Sequence, residues 1–195
     1  MDKKRIFILL GHPDNGSYCG ALARAYEKRA AEARHETRFM SLEKMDFEPN
    51  LRRGYKDVQK LEQPLIAFQE NMKWAEHFVL VFPLWWASAP AKLIGLFDRA
   101  ILPGFGFKFH EGRMFQEKLL SGRSARIIMT MDAPRPYYWF LFLGIPGLKA
   151  VKKGILKFCG VSPVRASVFT GMKEAKEKKL AKQIKVVEEM GRKGK

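Results

Sequence analysis

Arg5-Ile6-Phe7-Ile8-Leu9-Leu10-Gly11-His12-Pro13-Asp14-Asn15-Gly16-Ser17-Tyr18 is the stretch that decides the fold. Its apolar run is continuous and not alternating, the pattern of a strand covered on both faces. Gly11 stops the run. Ser17 suits a helix N-cap, because its hydroxyl accepts from an orphan amide of the first turn. Ala-rich sequence through Ala33 carries that helix.

The same strand–loop–helix unit recurs along the chain. Arg34–Met40 has the mixed polarity of a peripheral strand, and residues 41–60 show no sustained period and read as a long loop. Loops beyond ~12–15 residues are uncommon in compact domains and often functional. A helix is expected over Leu61–Ala75 and a strand over Phe78–Phe82, ended by Pro83, which has no amide to donate to a ladder. Pro90 opens the next helix at its first turn, with Leu93, Leu96, Phe97 and Ala100 at helical spacing. Gly104 to Arg123 reads as irregular, Arg126–Thr130 as a central strand, and the prolines at 134 and 136 as a loop. Leu148, Val151, Ile155 and Phe158 then mark one helical face, Val161–Phe169 the last strand, and Lys173–Met190 the last helix, with Leu180, Ile184 and Val187 inward. Alternating strands and helices predict an α/β three-layer sandwich with five parallel strands, in a single domain over 1–195.

Composition bounds the function. The 195 residues carry 36 Lys+Arg against 20 Asp+Glu, a formal net charge of +16, which draws anions such as nucleotides, phosphates or anionic lipid without choosing among them. Hydrophobic residues at 47% exclude a disordered chain. Two cysteines exclude a disulfide-stapled scaffold and fit a reducing, cytoplasmic setting. His35, His77 and His110 lack metal-ligand spacing, so no metal site is expected. Cys159, between Phe158 and Gly160, reads as a small buried hydrophobe, and Asp98 and Arg99 as structural polar contacts. The apolar stretch Tyr137–Leu148 is broken by Gly144, Pro146 and Gly147 and falls short of the ~20 residues a membrane crossing needs, so a soluble protein is expected.

In an open parallel sheet, ligands bind outside the carboxyl ends of the strands. Three loops qualify: 11–18, 83–90 and 131–139. The first, GHPDNGSY, meets a helix N-terminus, where exposed amides and the helix dipole favour an anion. His12 and Ser17 could add donors. The second, PLWWASAP, places Trp85 and Trp86 right after a buried strand. They read either as core or as a wall for a flat aromatic ligand, and their place at the binding edge favours the wall.

The order and spacing of GHPDNGSY, FPLWWASAPAKLIGLFDR, GFGFKF and LKFCGV resemble the flavodoxin-fold NAD(P)H:quinone reductases. That group includes DT-diaphorase-like enzymes, bacterial drug-activity modulators and the flavoprotein ancillary subunits of potassium efflux systems. The resemblance covers roughly residues 4 to 170 and is most specific over Phe82–Arg99. It implies a flavodoxin-like sheet in the order 2-1-3-4-5, FMN (or FAD), NADPH or NADH as donor, two-electron ping-pong hydride transfer to a quinone-like acceptor, and a homodimer. It carries flavin phosphate contacts to His12, Ser17, Tyr18 and Cys19. Contacts to the flavin ring fall to Pro83, Leu84, Trp85, Trp86 and Ala87, and the third flavin loop to Thr130, Met131, Asp132 and Ala133.

There the chain departs from the family. DT-diaphorase-like members have Thr-Thr-Gly-Gly followed by a Tyr and a His. This chain reads Thr130-Met-Asp-Ala-Pro-Arg-Pro-Tyr-Tyr-Trp139, and no histidine follows His110. Tyr137 or Tyr138 as the phenol and Arg135 as the positive charge are the catalytic candidates left. Two other functions remain open: a regulatory flavoprotein subunit of a membrane transporter, and a flavodoxin-fold binding protein without cofactor. The run Tyr137–Leu143 is too apolar for a solvated loop and reads as a dimer contact, a lid or a peripheral membrane patch. The lysine-rich segment after Lys173 is interrupted by four glutamates and reads as a solvated helix face. No nucleic-acid motif is present.

Overall fold

Three continuous apolar strands, β1 (Arg5–Leu10), β3 (His77–Pro83) and β6 (Ser124–Met131), lie side by side in the sheet because both of their faces need cover. The computed structural model describes residues 3–54, 56–57 and 59–195; Tyr55 and Val58 of the loop expected over 41–60 lie outside them. β2 (Glu36–Ser41), of mixed polarity, takes one edge and β7 (Val164–Thr170) the other. All neighbours are parallel, in the order β2-β1-β3-β6-β7, with Leu9 opposite Leu80 and Leu80 opposite Ile127. Counting the sheet strands alone, this is the expected 2-1-3-4-5 order.

Alternation along the strands divides the core in two. Phe7, Leu9, Phe78, Leu80, Phe82, Ile127 and Met129 face α2 (Gln63–Trp74), α3 (Ala91–Ala100) and the helical segment from Pro146. Ile6, Ile8, Leu10, Val79, Val81 and Ile128 face α1 (Tyr18–Glu32) and α6 (Glu177–Lys193). Helices on both faces of one sheet make the three-layer α/β sandwich.

Several segments differ from the sequence expectation. Pro90 stands at the N-cap of α3, one position before its first turn. The segment read as irregular contains a small antiparallel pair, β4 (Phe107–Lys108) and β5 (Glu117–Lys118). The proline-bearing loop after β6 becomes a helix, α4 (Arg135–Phe142), because Pro136 falls in its first turn, where no amide is needed. The face marked by Leu148, Val151, Ile155 and Phe158 belongs to α5 (Pro146–Lys149), which continues as a π-helical stretch over Ala150–Lys157. β7 and α6 each start about three to four residues later than expected.

Arg99 anchors the long loop after β2. Fully buried in α3, it pairs with Glu62 at 2.8 Å and donates to the carbonyls of Glu48 and Lys60. This is the structural polar contact expected of it. Cys159 is buried in the core, as expected for a small hydrophobe.

Candidate functional site

β1, β3 and β6 run parallel, so their carboxyl ends open on one edge of the sheet and deliver three loops there. The loops are locked to each other. Leu84 N–H donates to Thr130 O at 2.7 Å, Cys19 Sγ lies 3.2 Å from Thr130 Oγ1, and His12 meets Trp85 edge to face with centroids 5.3 Å apart.

The first loop is held from within. Asp14 N–H donates to His12 Nδ1 at 3.0 Å, and Gly16 N–H donates to Asp14 Oδ1 at 2.7 Å. Asn15 is tied outward: its N–H donates to Glu43 Oε2 at 2.9 Å, and its Oδ1 accepts from Ser41 Oγ at 2.5 Å. Ser17 caps α1 as expected, accepting from Gly20 N–H at 3.2 Å while donating to Asp14 O at 2.7 Å. The amides of Tyr18 and Cys19 open the helix and have no intrahelical acceptor, so they remain for an anion.

Side chains of this loop contribute less than the sequence suggested. The Ser17 hydroxyl is spent on the cap. The Tyr18 phenol sits against α6, donating to Leu180 O at 3.1 Å and lying 2.9 Å from Gln183 Oε1; burial, with Cys19 beside it, pushes it up to about 12. The Cys19 thiol is buried, which pushes it up to about 11 against the opposing pull of Thr130, so it stays protonated near neutral pH. Contacts from Tyr18 and Cys19 to a ligand are therefore backbone contacts.

The second loop is built to display an indole. Trp85 N–H donates to Ser88 O at 2.9 Å and Ser88 N–H to Trp85 O at 2.8 Å, which closes a two-residue turn with Trp86 at φ +50° and Ala87 at φ +58°. Neither residue is a glycine, and each such conformation costs about 1–3 kcal/mol, which the surrounding structure must hold in place. Trp86 is fully exposed and Trp85 is 44% exposed, whereas Pro83 and Leu84 beneath them are buried. Trp86 is thus outside the core. The turn rests on α5, where Gly147 N–H donates to Ala87 O at 2.8 Å; a Cβ on Gly147 would stand 2.9 Å from that oxygen. Sequence reasoning missed Gly147, although a glycine directly after Pro146, inside a helix start, signals a close approach.

The third loop is pinned to β7. Asp132 O accepts from Gly171 N–H at 2.9 Å and Asp132 Oδ1 from Lys173 N–H at 2.8 Å. Thr130 and Met131 are buried, while Asp132 is exposed and Ala133 half-buried. Arg135 donates to Val168 O at 2.8 Å. Tyr137 is exposed and Tyr138 half-buried, packed edge to face at 5.5 Å on α4. Among the described residues no aromatic pairing joins either to His12, Trp85 or Trp86. The structure therefore joins the three loops but leaves the tyrosines on a separate helix. A cavity of about 820 Å³ lies between α4 and α5 and includes Arg135 but no other candidate residue. Among the described residues, no group of three or more His, Cys, Asp or Glu could hold a metal ion.

An exposed indole and a half-exposed one beside unpaired helix-start amides suit a planar aromatic group carrying an anion. Known proteins share this framework. The ribosyldihydronicotinamide dehydrogenase-like protein traD of Penicillium crustosum is 27% identical over 159 residues, covering 69% of this chain and 60% of its own length. NAD(P)H dehydrogenase [quinone] 1 of Rattus norvegicus is 24% identical over 185 residues, covering 82% of this chain and 66% of its own. The chain thus spans about 60–66% of the length of these two relatives. A crystal structure from Streptococcus mutans UA159 superposes with a TM-score of 0.84 at 26% identity, covering 97% of this chain and 99% of that one. From residue 4 to residue 190 the sequence fits the family model described as flavodoxin-like fold, and the chain belongs to that family.

Proposed function

We propose that the chain is a flavin-dependent NAD(P)H oxidoreductase acting on quinones or related electrophilic aromatics. The observation that carries this is the display of Trp86, fully exposed on a left-handed turn at the same sheet edge as the open amides of Tyr18 and Cys19. Family membership and the names of the two relatives support it.

The residues fit a flavin. The amides at the start of α1 would hold its phosphate, and the helix dipole would favour that charge. The backbone of Pro83–Ala87 with Trp85 and Trp86 would flank its ring, and Thr130–Ala133 would close the third side. The bound flavin supplies the hydride chemistry. The protein's part is to orient reactants on one face and to supply a positive field, for which Arg135, just beyond the third loop, is the candidate. Tyr137 or Tyr138 would serve as the phenol. The nicotinamide and the acceptor would occupy one slot in turn, which predicts ping-pong kinetics. FMN is favoured over FAD, because no segment among the described residues addresses an adenine. Assembly as a homodimer belongs to the same proposal and is checked by sedimentation equilibrium.

The test is an anaerobic visible spectrum of the chain reconstituted with FMN, before and after NADPH, then after a benzoquinone. A bound yellow band that bleaches with NADPH and returns with quinone is expected. Failure to bind FMN or FAD overturns the proposal and leaves a cofactor-free binding protein.

A further inference from the structure

Helix α4, Arg-Pro-Tyr-Tyr-Trp-Phe-Leu-Phe, has no buried residue although six of its eight side chains are aromatic or aliphatic. An isolated helix on a soluble surface carries a polar face; this one is apolar nearly all round. Phe140 is 87% exposed, Leu143 just beyond the helix 71%, and Trp139, Leu141 and Phe142 are exposed as well. Such a surface marks a place that something else covers.

The charges around it narrow what that is. From residue 133 to residue 173 the sequence holds seven Lys or Arg and no Asp or Glu. Beside α4, the cavity of about 820 Å³ has an apolar floor that includes Trp139, Phe140 and Leu148, and a wall of Lys149, Lys152 and Lys153. Lys149 Nζ also donates to Leu143 O at 2.5 Å, which fixes the basic wall to the apolar turn. A twofold pairing of this face with itself would bring the same uncompensated cations together, so charge disfavours a second copy. Aromatic and aliphatic side chains bordered by lysines are the composition of an element that lies in the boundary of an anionic bilayer.

We propose that α4 and the start of the following helix form a docking face for anionic phospholipid membranes. Trp139, Phe140 and Leu143 enter the headgroup–acyl boundary, and Lys149, Lys152 and Lys153 meet lipid phosphates. Attachment is peripheral: among the described residues no helix is long and apolar enough to cross a membrane. It does not depend on the flavin proposal, since lipid binding is read without turnover.

The full chain is sedimented with vesicles of phosphatidylcholine alone and with about 30% phosphatidylglycerol, at about 0.1 M salt. Partition onto the anionic vesicles at least ~10-fold above the neutral ones, falling as salt rises, is expected. Each lysine near such a surface contributes about a fivefold change, so Lys152→Glu/Lys153→Glu lowers partition by at least ~25-fold. Phe140→Glu with Leu143→Asn, the latter chosen because Asn accepts the left-handed backbone at 143, lowers it by about tenfold or more. The control pair Lys182→Glu/Lys185→Glu on α6 removes the same charge elsewhere and shifts partition only a few-fold. Equal partition onto both vesicle types, or an equal loss from the α6 pair, overturns the proposal. So does a fall in oligomer mass on substitution at Phe140, which would make the face an interface between copies. Absence of vesicle binding overturns it too, whatever acidic protein the face then captures. Should the Phe140 variant misfold, the lysine pair decides alone.

Discussion

Gly20 tests whether the first loop holds a phosphate. It lies in the first turn of α1, and a Cβ there would stand 2.2 Å from Asn15 O. In Gly20→Ala the loop must therefore retreat by about 0.8 Å to reach the 3.0 Å that real contacts respect. Asn15 cannot swing away freely, because Glu43 and Ser41 hold it on the far side. Two terms oppose each other. Alanine favours the helix by about 1 kcal/mol. Overpacking costs about 1–3 kcal/mol, and a loosened loop hydrogen bond about another 1 kcal/mol. The overpacking wins, for a net loss of about 1–3 kcal/mol and a fall in Tm of about 2–12 °C. Binding should respond more specifically. A displaced amide that loses its bond to an ionised phosphate costs about 1.5–3 kcal/mol, or about 10- to 150-fold in Kd for FMN. Riboflavin, which has no phosphate, should keep its Kd within about twofold. Fluorescence-quenching titrations with both ligands make the measurement. An equal loss for FMN and riboflavin, or an unchanged Kd for FMN in a variant whose Tm has fallen, would refute the phosphate assignment.

Three further outcomes are expected. Trp86→Ala should leave Tm within about 1 °C, since the indole touches solvent only, but weaken flavin binding by about 3- to 10-fold through lost stacking; thermal melts and the same titration check both. Arg99→Met leaves two loop carbonyls unpaired and strips Glu62 of its partner; because Glu62 is partly solvated the cost sits near the low end for a buried pair, about 3 kcal/mol, and calorimetry should show Tm lower by about 6–12 °C. His77 is buried against Ser124, and burial, followed by the nearby Lys4 and Arg126, pushes its pKa down from 6.5 to about 3. Below pH ~6.5 the unfolded chain takes a proton there that the folded chain refuses, so stability falls toward pH ~3, by up to about 1.4 kcal/mol per pH unit. Denaturant melts between pH 7 and 5 should show that slope shrink in His77→Gln; an unchanged slope would mean that His77 is charged in the folded state.

The sheet was legible because Ile6–Leu10 and Phe78–Phe82 are buried on both faces, and burial on both faces demands an apolar residue at every position of the run. Helix α4 was not. Pro134 at its N-cap and Pro136 in its first turn mimic a loop, and it lacks the polar–apolar period that a helix shows when its partner lies in the same chain. β4 and β5, two residues each, are too short to leave a pattern. At the site, the carboxyl-end rule named three loops that the fold does bring to one sheet edge, where they touch one another. What stayed hidden was which side chains the fold had already engaged. Tyr18 bonds to residues 162 and 165 positions away, and Cys19 to Thr130, 111 positions away. No local pattern reports a partner that distant.

The tie from Tyr18 to α6 also sets an order of events during synthesis. The loop at Tyr18 leans on Leu180 and Gln183, which are made 162 and 165 residues after it. A nascent chain that has emerged only as far as β7 can pair all five strands, yet it lacks the helix that seats Tyr18 and covers Ile6, Ile8 and Leu10. Competence to hold a ligand would therefore come late, after translation has passed residue 183, and a ribosome stalled before that point would carry a nearly complete sheet with an unfinished first loop.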